Sequence, residues 1–260
     1  NPDVSFDPGE LEICAGSEIM IEPEVDFSGG EITSHNWNGI YSEYLSDTTM
    51  PSPVFSTENP GIYQFEYEVT DIHFCTDQSS VSITVNSLPK VSFSGLAPDY
   101  CMNDEEIELF GYPANGLFQG EGIQENTFDP DMAGPGSKQI IYSYTDINSC
   151  MGFDTATTYV HPLPDTRIIN LRQDYCVTPG GYIEFEASPA GGNFYFYFEL
   201  QGYINLDSSM AGLHSIKYEY TDNYGCENDT TKTFRINRNP APAFTPDTLA
   251  GCPPFEANFV

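Results

Sequence analysis

Apolar and polar side chains alternate along three stretches of the chain, each of which begins just after a glycine. The apolar positions are Tyr63, Phe65, Tyr67 and Val69 in the first stretch, Ile140, Tyr142 and Tyr144 in the second, and Ile216, Tyr218 and Tyr220 in the third. A period of two residues is typical of an antiparallel strand with one buried and one solvated face. A Thr-Asp pair ends each stretch, and an aspartate at such a position commonly caps a turn.

Further short strands are predicted on both sides of these stretches. The earlier ones are Ile19 to Ile21, Ile107 to Leu109 and Ile183 to Phe185. In the last strand of each set the inward-facing candidates are Ile83 and Val85, Thr158 and Val160, and Phe234 and Ile236. Because no stretch shows helical periodicity, the pattern predicts an all-β protein.

Glycine, cysteine and proline recur along the chain at fixed spacings. The triplets are Gly61–Cys75–Pro89, Gly136–Cys150–Pro164 and Gly212–Cys226–Pro240, and a further cysteine follows each proline by twelve residues, at Cys101, Cys176 and Cys252. The period of roughly 75 residues is close to the size of one small β-sandwich. We call Cys14, Cys101, Cys176 and Cys252 the first cysteines of their repeats, and Cys75, Cys150 and Cys226 the second cysteines.

The repeat therefore predicts a tandem array of small immunoglobulin-like β-sandwiches. The predicted domains are residues 1–89, 90–164 and 165–240, followed at 241–260 by the start of a fourth, incomplete one. Proline-bearing linkers separate them, which predicts restricted bending between neighbours.

The cysteines are predicted to form one disulfide in each repeat, because a domain of about 75 residues buries a modest share of its surface. The predicted pairs are Cys14–Cys75, Cys101–Cys150 and Cys176–Cys226. Closing a loop of about 50 residues would stabilise a domain by roughly 4 kcal/mol. Cys252 is unpaired within this segment, for which truncation is a simpler explanation than a reactive thiol. Regular disulfides indicate an extracellular location.

Charge excludes some partners. The formal net charge is −31, and residues 1–89 contain no lysine or arginine. Nucleic acids need clustered cations, and an anionic membrane surface would repel such a chain. No apolar run reaches the length of a membrane-spanning helix, so no direct membrane insertion is expected. A leader and any anchor are expected outside this stretch.

Catalytic and metal-binding motifs are absent from the sequence. It has no nucleophile elbow, zinc-protease helix or phosphate-binding loop, and its four histidines lie in unrelated settings, which predicts that the chain is not an enzyme. Asp129 and Asp131 could contribute oxygen ligands to Ca²⁺, although no EF-hand spacing is present and Asp129 fits a turn more simply. No other cofactor is predicted.

The first repeat resembles a polycystic-kidney-disease (PKD) domain through Trp37, Pro60-Gly61-Ile62-Tyr63 and Tyr67-Glu68-Val69-Thr70-Asp71, and Gly251-Cys252-Pro253-Pro254 looks like the start of another. The second repeat is similar to immunoglobulin-like repeats of Bacteroidota surface proteins through Gly116 to Gly122, Phe128-Asp129-Pro130, Ala133 to Gly136, and Tyr142 to Asp146 with Cys150. The third keeps Ala211-Gly212 and Tyr218 to Asp222. The resemblance implies a cell-surface protein of the type IX-secreted adhesins and gliding-associated proteins, with no catalytic residues. It also implies candidate O-glycosylation at Thr48, Thr155, Thr230 and Thr248.

Three functions remain open at this point. The leading hypothesis is a structural and adhesive stalk segment of a large surface protein, whose partners are other domains of the same long chain. A second is a protomer of a self-assembling filament, completed by neighbouring copies through strand exchange at 241–260. A third is a carbohydrate-binding module that contacts surface glycans through Tyr195, Tyr197 or Trp37.

Overall fold

The computed structural model describes residues 1–243 apart from Ser28 and Phe198. Contact density divides the chain into two compact units, Asn1–Tyr100 with Asp104–Val160, and Cys101–Asn103 with the residues from His161 onward. Each sheet of the described residues draws its strands from one predicted repeat. The domain boundaries inferred from the repeat stay predictions. No helix among the described residues is long and apolar enough to cross a membrane.

The described residues of the first repeat form eight strands and one 3-10 helix. Its strands are β1 (Asp3–Ser5), β2 (Glu10–Cys14), β3 (Glu18–Met20), β4 (Glu24–Asp26), β5 (Ile32–Asn38), β6 (Val54–Ser56), β7 (Gly61–Asp71) and β8 (Thr76–Asn86), and the 3-10 helix is Ser42–Tyr44. A four-stranded sheet has the order β2-β8-β7-β5, and the remaining strands form the pairs β1-β4 and β3-β6. The strand β2 lies parallel to β8, whereas β7 pairs antiparallel with both β5 and β8.

The core of the first repeat follows the predicted alternation. Tyr63, Phe65, Tyr67 and Val69 are all buried along β7, while the residues between them are more exposed. They pack with Trp37, Phe55 and the apolar side of β8 in one cluster. The period-two pattern therefore identified the inward face of this sheet correctly.

The second repeat has nine strands and a single-turn α-helix. Its strands are β9 (Ser92–Ser94), β10 (Asp99–Cys101), β11 (Ile107–Glu108), β12 (Phe110–Tyr112), β13 (Leu117–Gln119), β14 (Ile123–Gln124), β15 (Thr127–Phe128), β16 (Gly136–Thr145) and β17 (Met151–His161), and α1 is Pro130–Ala133. The sheets have the orders β10-β17-β16-β13, β11-β15-β14 and β12-β9. Ile140, Tyr142, Thr158 and Val160 are buried, as predicted.

In the part of the third repeat that the structure describes, there are nine strands and a 3-10 helix. Its strands are β18 (Arg167–Ile168), β19 (Asp174–Cys176), β20 (Tyr182–Glu184), β21 (Ala187–Ser188), β22 (Asn193–Phe196), β23 (Glu199–Leu200), β24 (Tyr203–Asn205), β25 (Gly212–Thr221) and β26 (Glu227–Asn237), and the 3-10 helix is Ser208–Met210. The largest sheet has the order β19-β26-β25-β22-β23, and β19 lies parallel to β26. Ile216, Tyr218, Phe234 and Ile236 belong to the core.

A buried tyrosine fixes the packing of the second and third repeats in the same way. The Tyr218 hydroxyl accepts a hydrogen bond from the Gly192 N–H at 2.8 Å and donates one to the Pro189 carbonyl. A Cβ at position 192 would lie 2.1 Å from the Glu219 carbonyl oxygen and 2.6 Å from the Tyr218 ring, so only glycine fits there. Tyr142 makes the equivalent bonds with Gly116 and Pro113. The predicted all-β, immunoglobulin-like tandem fold is confirmed.

Candidate functional site: the bridges between successive repeats

The second cysteine of each repeat lies in a turn organised by the aspartate of the Thr-Asp pair. In every repeat this carboxylate accepts hydrogen bonds from the N–H groups two and four residues later, namely His73 and Cys75 on Asp71, Asn148 and Cys150 on Asp146, and Tyr224 and Cys226 on Asp222, at 2.8 to 2.9 Å. The residue just before the cysteine has a positive φ: 65° at Phe74, 64° at Ser149 and 87° at Gly225. The predicted turn-capping role of these aspartates is confirmed.

The first cysteine of a repeat lies at the other end of the last strand. In the parallel register of β2 and β8, Cys14 is opposite Asn86, the final residue of β8, whereas Cys75 directly precedes the first residue, Thr76. A strand rises about 3.3 Å per residue, so roughly 35 Å of strand separates the two positions. A disulfide needs Cα atoms within about 7 Å of each other. Cys14 and Cys75 therefore cannot bond to each other in the folded repeat.

The other two repeats place their cysteines in the same way. Cys176 is opposite Asn237 at the end of β26, and Cys226 directly precedes the first residue of that strand. In the second repeat the Met102 N–H donates to the carbonyl of His161, the last residue of β17, while Cys150 precedes its first residue. The prediction of one disulfide inside each repeat, Cys14–Cys75, Cys101–Cys150 and Cys176–Cys226, is thus wrong.

The structure instead joins cysteines of successive repeats. Cys14 bonds to Cys150 with Cα atoms 5.5 Å apart, and both residues belong to the first compact unit. Cys101 bonds to Cys226 with Cα atoms 5.4 Å apart, and both belong to the second unit. In each case the first cysteine of one repeat meets the second cysteine of the next. We call these two disulfides the inter-repeat bridges.

Close packing surrounds the Cys14–Cys150 bridge. Cys150 is fully buried. Two residues beyond it, a Cβ at Gly152 would lie 2.4 Å from the Pro89 carbonyl oxygen and 2.8 Å from a methyl of Val91, so a glycine is required where β17 passes the linker. On the other side the Ala15 N–H donates to the Asn86 carbonyl at 2.9 Å, which fixes the backbone just after Cys14.

Polar and aromatic contacts surround the Cys101–Cys226 bridge. The ring of His161 stacks on that of Tyr224, with centroids 4.0 Å apart and an interplanar angle of 18°. The Asn103 side chain donates to the Glu227 carbonyl at 3.3 Å. Cys226 is fully buried. The sequence pattern did not reveal these partners, because it does not show at which end of the last strand the first cysteine of a repeat lies.

Two of the six cysteines in the described part of the chain have no disulfide partner there. Cys75 is half-buried and Cys176 is exposed. One is a second cysteine and the other a first cysteine, each at the position that is bridged in the other repeats. Cys252, predicted to be unpaired, lies outside the described residues.

The Asp71 turn gives the first repeat a pH dependence. Burial of the Asp71 carboxylate would raise its pKa, but the N–H donors of Cys75 and His73 and the nearby charge of His73 outweigh this and hold the pKa below its ordinary value. A group with a lowered pKa stabilises the fold above its unfolded pKa, about 3.9, and loses this contribution as the pH falls through the folded pKa. We expect the thermal midpoint of the first repeat to fall more steeply below about pH 4 in the wild type than in Asp71→Asn, measured by Trp37 fluorescence. Equal slopes would contradict this assignment.

Trp37 is not a contact surface. Its side chain is 2% exposed and its ring lies 4.6 Å from that of Tyr67. The indole N–H donates to the Met50 carbonyl at 2.9 Å, so both its apolar and its polar parts are satisfied inside the first repeat. The prediction that Trp37 contacts a ligand is therefore wrong, because the ring is needed in the core.

Tyr195 and Tyr197 do not form one surface. Strand β22 ends at Phe196, and Tyr197 has a positive φ of 51° in the turn that follows. Its hydroxyl hydrogen-bonds Nδ1 of His214 at 2.9 Å. Tyr195 is half-buried and lines a separate depression beside Lys217. The predicted alternation of the two faces stops where the strand ends, which leaves Tyr197 as the exposed member.

The carboxylate of Asp129 has a structural role. It caps α1 by accepting hydrogen bonds from the N–H groups of Asp131 at 2.9 Å and Met132 at 3.3 Å. Pro130 occupies the first helical position, where its missing N–H costs nothing. Within the described ranges, no group of three or more histidine, cysteine or acidic side chains could hold a metal ion. A calcium site at Asp129 and Asp131 stays a prediction.

The candidate glycosylation sites differ in accessibility. Thr155 is exposed on β17, whereas Thr48 and Thr230 are half-buried. Thr248 lies outside the described residues. Modification at each of the four threonines stays a prediction.

Comparison with known proteins gives a likeness of fold. No family model and no curated protein matches the chain. Among solved structures, it is similar to the N-terminal eight immunoglobulin domains of Down Syndrome Cell Adhesion Molecule (11% identity, TM-score 0.44), covering 92% of this chain and 36% of that one. It is also similar to fibronectin(III)-like modules of Clostridium thermocellum CbhA, with 17% identity and a TM-score of 0.31, covering 62% of this chain and 95% of that one. A third similar structure is a Ca²⁺-stabilized adhesin of an Antarctic bacterium, with 12% identity and a TM-score of 0.32, covering 94% of this chain and 75% of that one. The chain thus spans about a third of the length of the first of these, and identities and scores at this level say nothing about its activity or partners.

Proposed function

We propose that the chain is a non-enzymatic segment of an extracellular, surface-attached adhesive stalk, and that the inter-repeat bridges allow this stalk to bear tension. The observation that carries the proposal is the interleaving of the two bridges. The bridge Cys14–Cys150 joins positions with a sequence separation of 136, and Cys101–Cys226 joins positions with a separation of 125. The two loops overlap between Cys101 and Cys150, so load can pass from Cys14 to Cys226 by more than one covalent route.

These routes limit how far the chain can extend even when its domains unfold. With both bridges in place, the shortest route crosses from Cys14 to Cys150, returns along the backbone to Cys101 and crosses to Cys226. With one bridge, the route is the stretch from Cys150 to Cys226 or the stretch from Cys14 to Cys101. Either bridge alone therefore reduces the covalent route to less than half of the backbone between Cys14 and Cys226. Such redundancy suits a segment that must not lengthen under load.

The charge and redox chemistry support an extracellular site of action. Disulfides persist in oxidising environments outside the cytoplasm. With 39 acidic and 8 basic side chains, the chain carries a large negative charge that opposes self-association. In the described residues, three lysines or arginines, at 138, 167 and 217, form ion pairs with acidic neighbours. The surface therefore stays dominated by carboxylates.

The proposal is tested by adhesion under flow. The cells that naturally produce the protein would be engineered to express a full-length variant with serine at all four bridged cysteines, Cys14, Cys101, Cys150 and Cys226. We expect these cells to attach normally without flow and to detach at a lower shear stress than the wild type. Variants that lack one bridge, Cys14→Ser/Cys150→Ser or Cys101→Ser/Cys226→Ser, should detach at shear stresses between these two. Equal detachment of all variants, or a protein that surface labelling fails to reach on intact cells, would refute the proposal.

Glycan binding is a second candidate function, favoured by a groove in the third repeat. The groove has a volume of about 540 Å³ and is bordered by Tyr197 and Tyr203, which are 64% and 57% exposed. Glu199, Gln201 and Asn205 add hydrogen-bonding groups to its lining. Exposed aromatic faces beside amide and carboxylate groups suit the mixed apolar and polar surface of a sugar.

The groove can be tested by removing its aromatic rings. We expect Tyr197→Ala and Tyr203→Ala each to weaken retention on immobilised glycans about tenfold, the equivalent of about 1.4 kcal/mol. Tyr195→Ala and Tyr112→Ala serve as matched controls, because Tyr195 lines another depression and Tyr112 is exposed in the second repeat. Retention that is unchanged in the groove variants, or lost equally in the controls, would exclude this site.

A further inference from the structure

We propose that Cys75 and Cys176 are the open positions of a continuing series of inter-repeat bridges. Cys176 bonds to the second cysteine of the repeat that follows in the same longer chain, and Cys75 bonds to the first cysteine of the repeat that precedes. Each partner is therefore identified by its position in a repeat: a cysteine in a Thr-Asp turn for Cys176, and a cysteine at the end of a short strand for Cys75. This inference deepens the proposed function, since both require flanking repeats, but it rests on different residues from the bridges tested under flow.

The turn that holds Cys75 matches the two bridged turns bond for bond. The Cys75 N–H donates to Asp71 at 2.9 Å, the distance found for Cys150 on Asp146 and for Cys226 on Asp222. The aspartate N–H in turn donates to the cysteine carbonyl at 2.9 to 3.0 Å in all three repeats. The sulfur of Cys75 is therefore presented in the same backbone frame as the two second cysteines that carry bridges, yet Cys75 remains half-buried and unbonded here.

The strand that holds Cys176 matches the bridged strand of Cys14. Both cysteines end a short strand that runs parallel to the last strand of their repeat, opposite Asn237 and Asn86 respectively. The next N–H donates to that asparagine carbonyl at 2.9 Å in both repeats, from Val177 and from Ala15. Cys176 is exposed at this strand end, where Cys14 is bonded to the following repeat.

The spacing of the cysteines along the chain supports a single pairing rule. The step from each second cysteine to the next first cysteine has the same length in all three cases, from Cys75 to Cys101, from Cys150 to Cys176 and from Cys226 to Cys252. In both inter-repeat bridges, a first cysteine skips the second cysteine of its own repeat and bonds to that of the next. Under this rule Cys176 needs the second cysteine of a following repeat and Cys75 needs the first cysteine of a preceding one, because Cys150 and Cys226 are already bonded to Cys14 and Cys101.

Bond formation needs an oxidant. Each new S–S bond removes two protons and two electrons from a pair of thiols. A protein disulfide of an extracytoplasmic thiol oxidoreductase accepts them by exchange: one substrate thiolate attacks its S–S bond, the second substrate thiolate resolves the mixed disulfide, and the oxidoreductase leaves as a dithiol. The exposure of Cys176 permits the first attack.

The test is disulfide mapping of the whole native protein, isolated without reductant and treated with iodoacetamide before digestion. We expect the Cys176 peptide to be linked to a peptide with a Thr-Asp-x-x-x-Cys turn from outside residues 1–260. The Cys75 peptide should be linked to one whose cysteine ends a short strand of a preceding repeat. Carbamidomethyl label on either cysteine before reduction would overturn the proposal, and so would a bond between Cys75 and Cys176 of two copies.

Serine variants of the whole protein make the mapping decisive. Cys176→Ser should expose one new thiol, in the Thr-Asp-x-x-x-Cys peptide of the following repeat, while the Cys14–Cys150 and Cys101–Cys226 peptides stay linked. Cys75→Ser should expose a different thiol, in the preceding repeat. If neither variant produces a new alkylated cysteine, the proposal fails. This failure would leave the flow result untouched, because that result depends on the two bridges already described.

Discussion

The oxidised chain, pulled from its two ends, should extend between Cys14 and Cys226 to less than a third of the length that the reduced chain reaches. With both bridges closed, only the stretch between Cys101 and Cys150 can be drawn out. At about 3.4 Å per extended residue, this stretch reaches roughly 170 Å, whereas the whole reduced backbone between Cys14 and Cys226 reaches roughly 720 Å. Single-molecule stretching with and without reductant measures the difference.

Variants that remove one pair of cysteines separate interleaved bridges from bridges inside each repeat. In Cys14→Ser/Cys150→Ser, the remaining Cys101–Cys226 bridge leaves the stretch from position 14 to Cys101, which extends to roughly 300 Å. With pairing inside each repeat, the same two substitutions would leave only Cys176–Cys226, and the stretch from position 14 to Cys176 would extend to roughly 550 Å. A chain that lengthens to the larger value would contradict the bridges described above. Cys75→Ser/Cys176→Ser should stretch like the wild type.

Trp37→Ala should destabilise the first repeat by about 3 to 5 kcal/mol, the usual cost of removing a large aromatic side chain from a core. The ring is 2% exposed, packs against Tyr67 and Phe6, and donates to the Met50 carbonyl. The substitution leaves a cavity beside Tyr67, the residue opposite Trp37 in the β5–β7 register, and an unpaired Met50 carbonyl. Urea unfolding followed by circular dichroism measures the loss.

Two further substitutions serve as controls for Trp37→Ala. Trp37→Phe keeps most of the ring volume and should cost less than Trp37→Ala, although it loses the indole N–H. Phe153→Ala, at a side chain 67% exposed in the second repeat, should change stability by no more than about 0.5 kcal/mol. If Trp37→Ala were no more disruptive than Phe153→Ala, Trp37 would not be a core residue and its role as a contact surface would have to be reconsidered.

The sandwich fold could be predicted from the sequence because apolar residues alternate with polar ones along each long strand and so mark its buried face. Tyr63, Phe65 and Tyr67 alternate with charged or amide side chains, and only a strand places such a series on one buried face. The Thr-Asp pairs likewise predicted turns, since the aspartate side chain and the N–H groups that it binds are local in sequence. Local patterns of this kind can be recognised without knowing how the domains are joined.

The disulfide pairing could not be predicted because spacing along the chain does not give distance in space. Six cysteines allow fifteen pairings, and the separation within a repeat made Cys14–Cys75 the simplest choice. What excludes that pair is the parallel register of β2 and β8, which places Cys14 beside Asn86 and a full strand length from Cys75. Parallel pairing of a short early strand with the last strand of its repeat, as in β2 with β8 and β19 with β26, leaves no local mark in the sequence.

The role of isolated aromatics was equally hard to predict. Trp37 and Tyr197 were both candidates for a contact surface, yet one is buried and the other is 64% exposed. Trp37 is on a strand whose partner β7 carries Tyr67 on the same face, whereas Tyr197 follows the last residue of β22. The point at which a strand ends decides the outcome, and that point depends on its partner strand.

Disulfide mapping of the oxidised chain is the most direct test of the inter-repeat bridges. After digestion without reductant, mass spectrometry should find the Cys14 peptide linked to the Cys150 peptide, and the Cys101 peptide linked to the Cys226 peptide. Peptides that link Cys14 to Cys75, or Cys101 to Cys150, would show that each repeat closes on itself, and the tension-bearing routes described above would not exist.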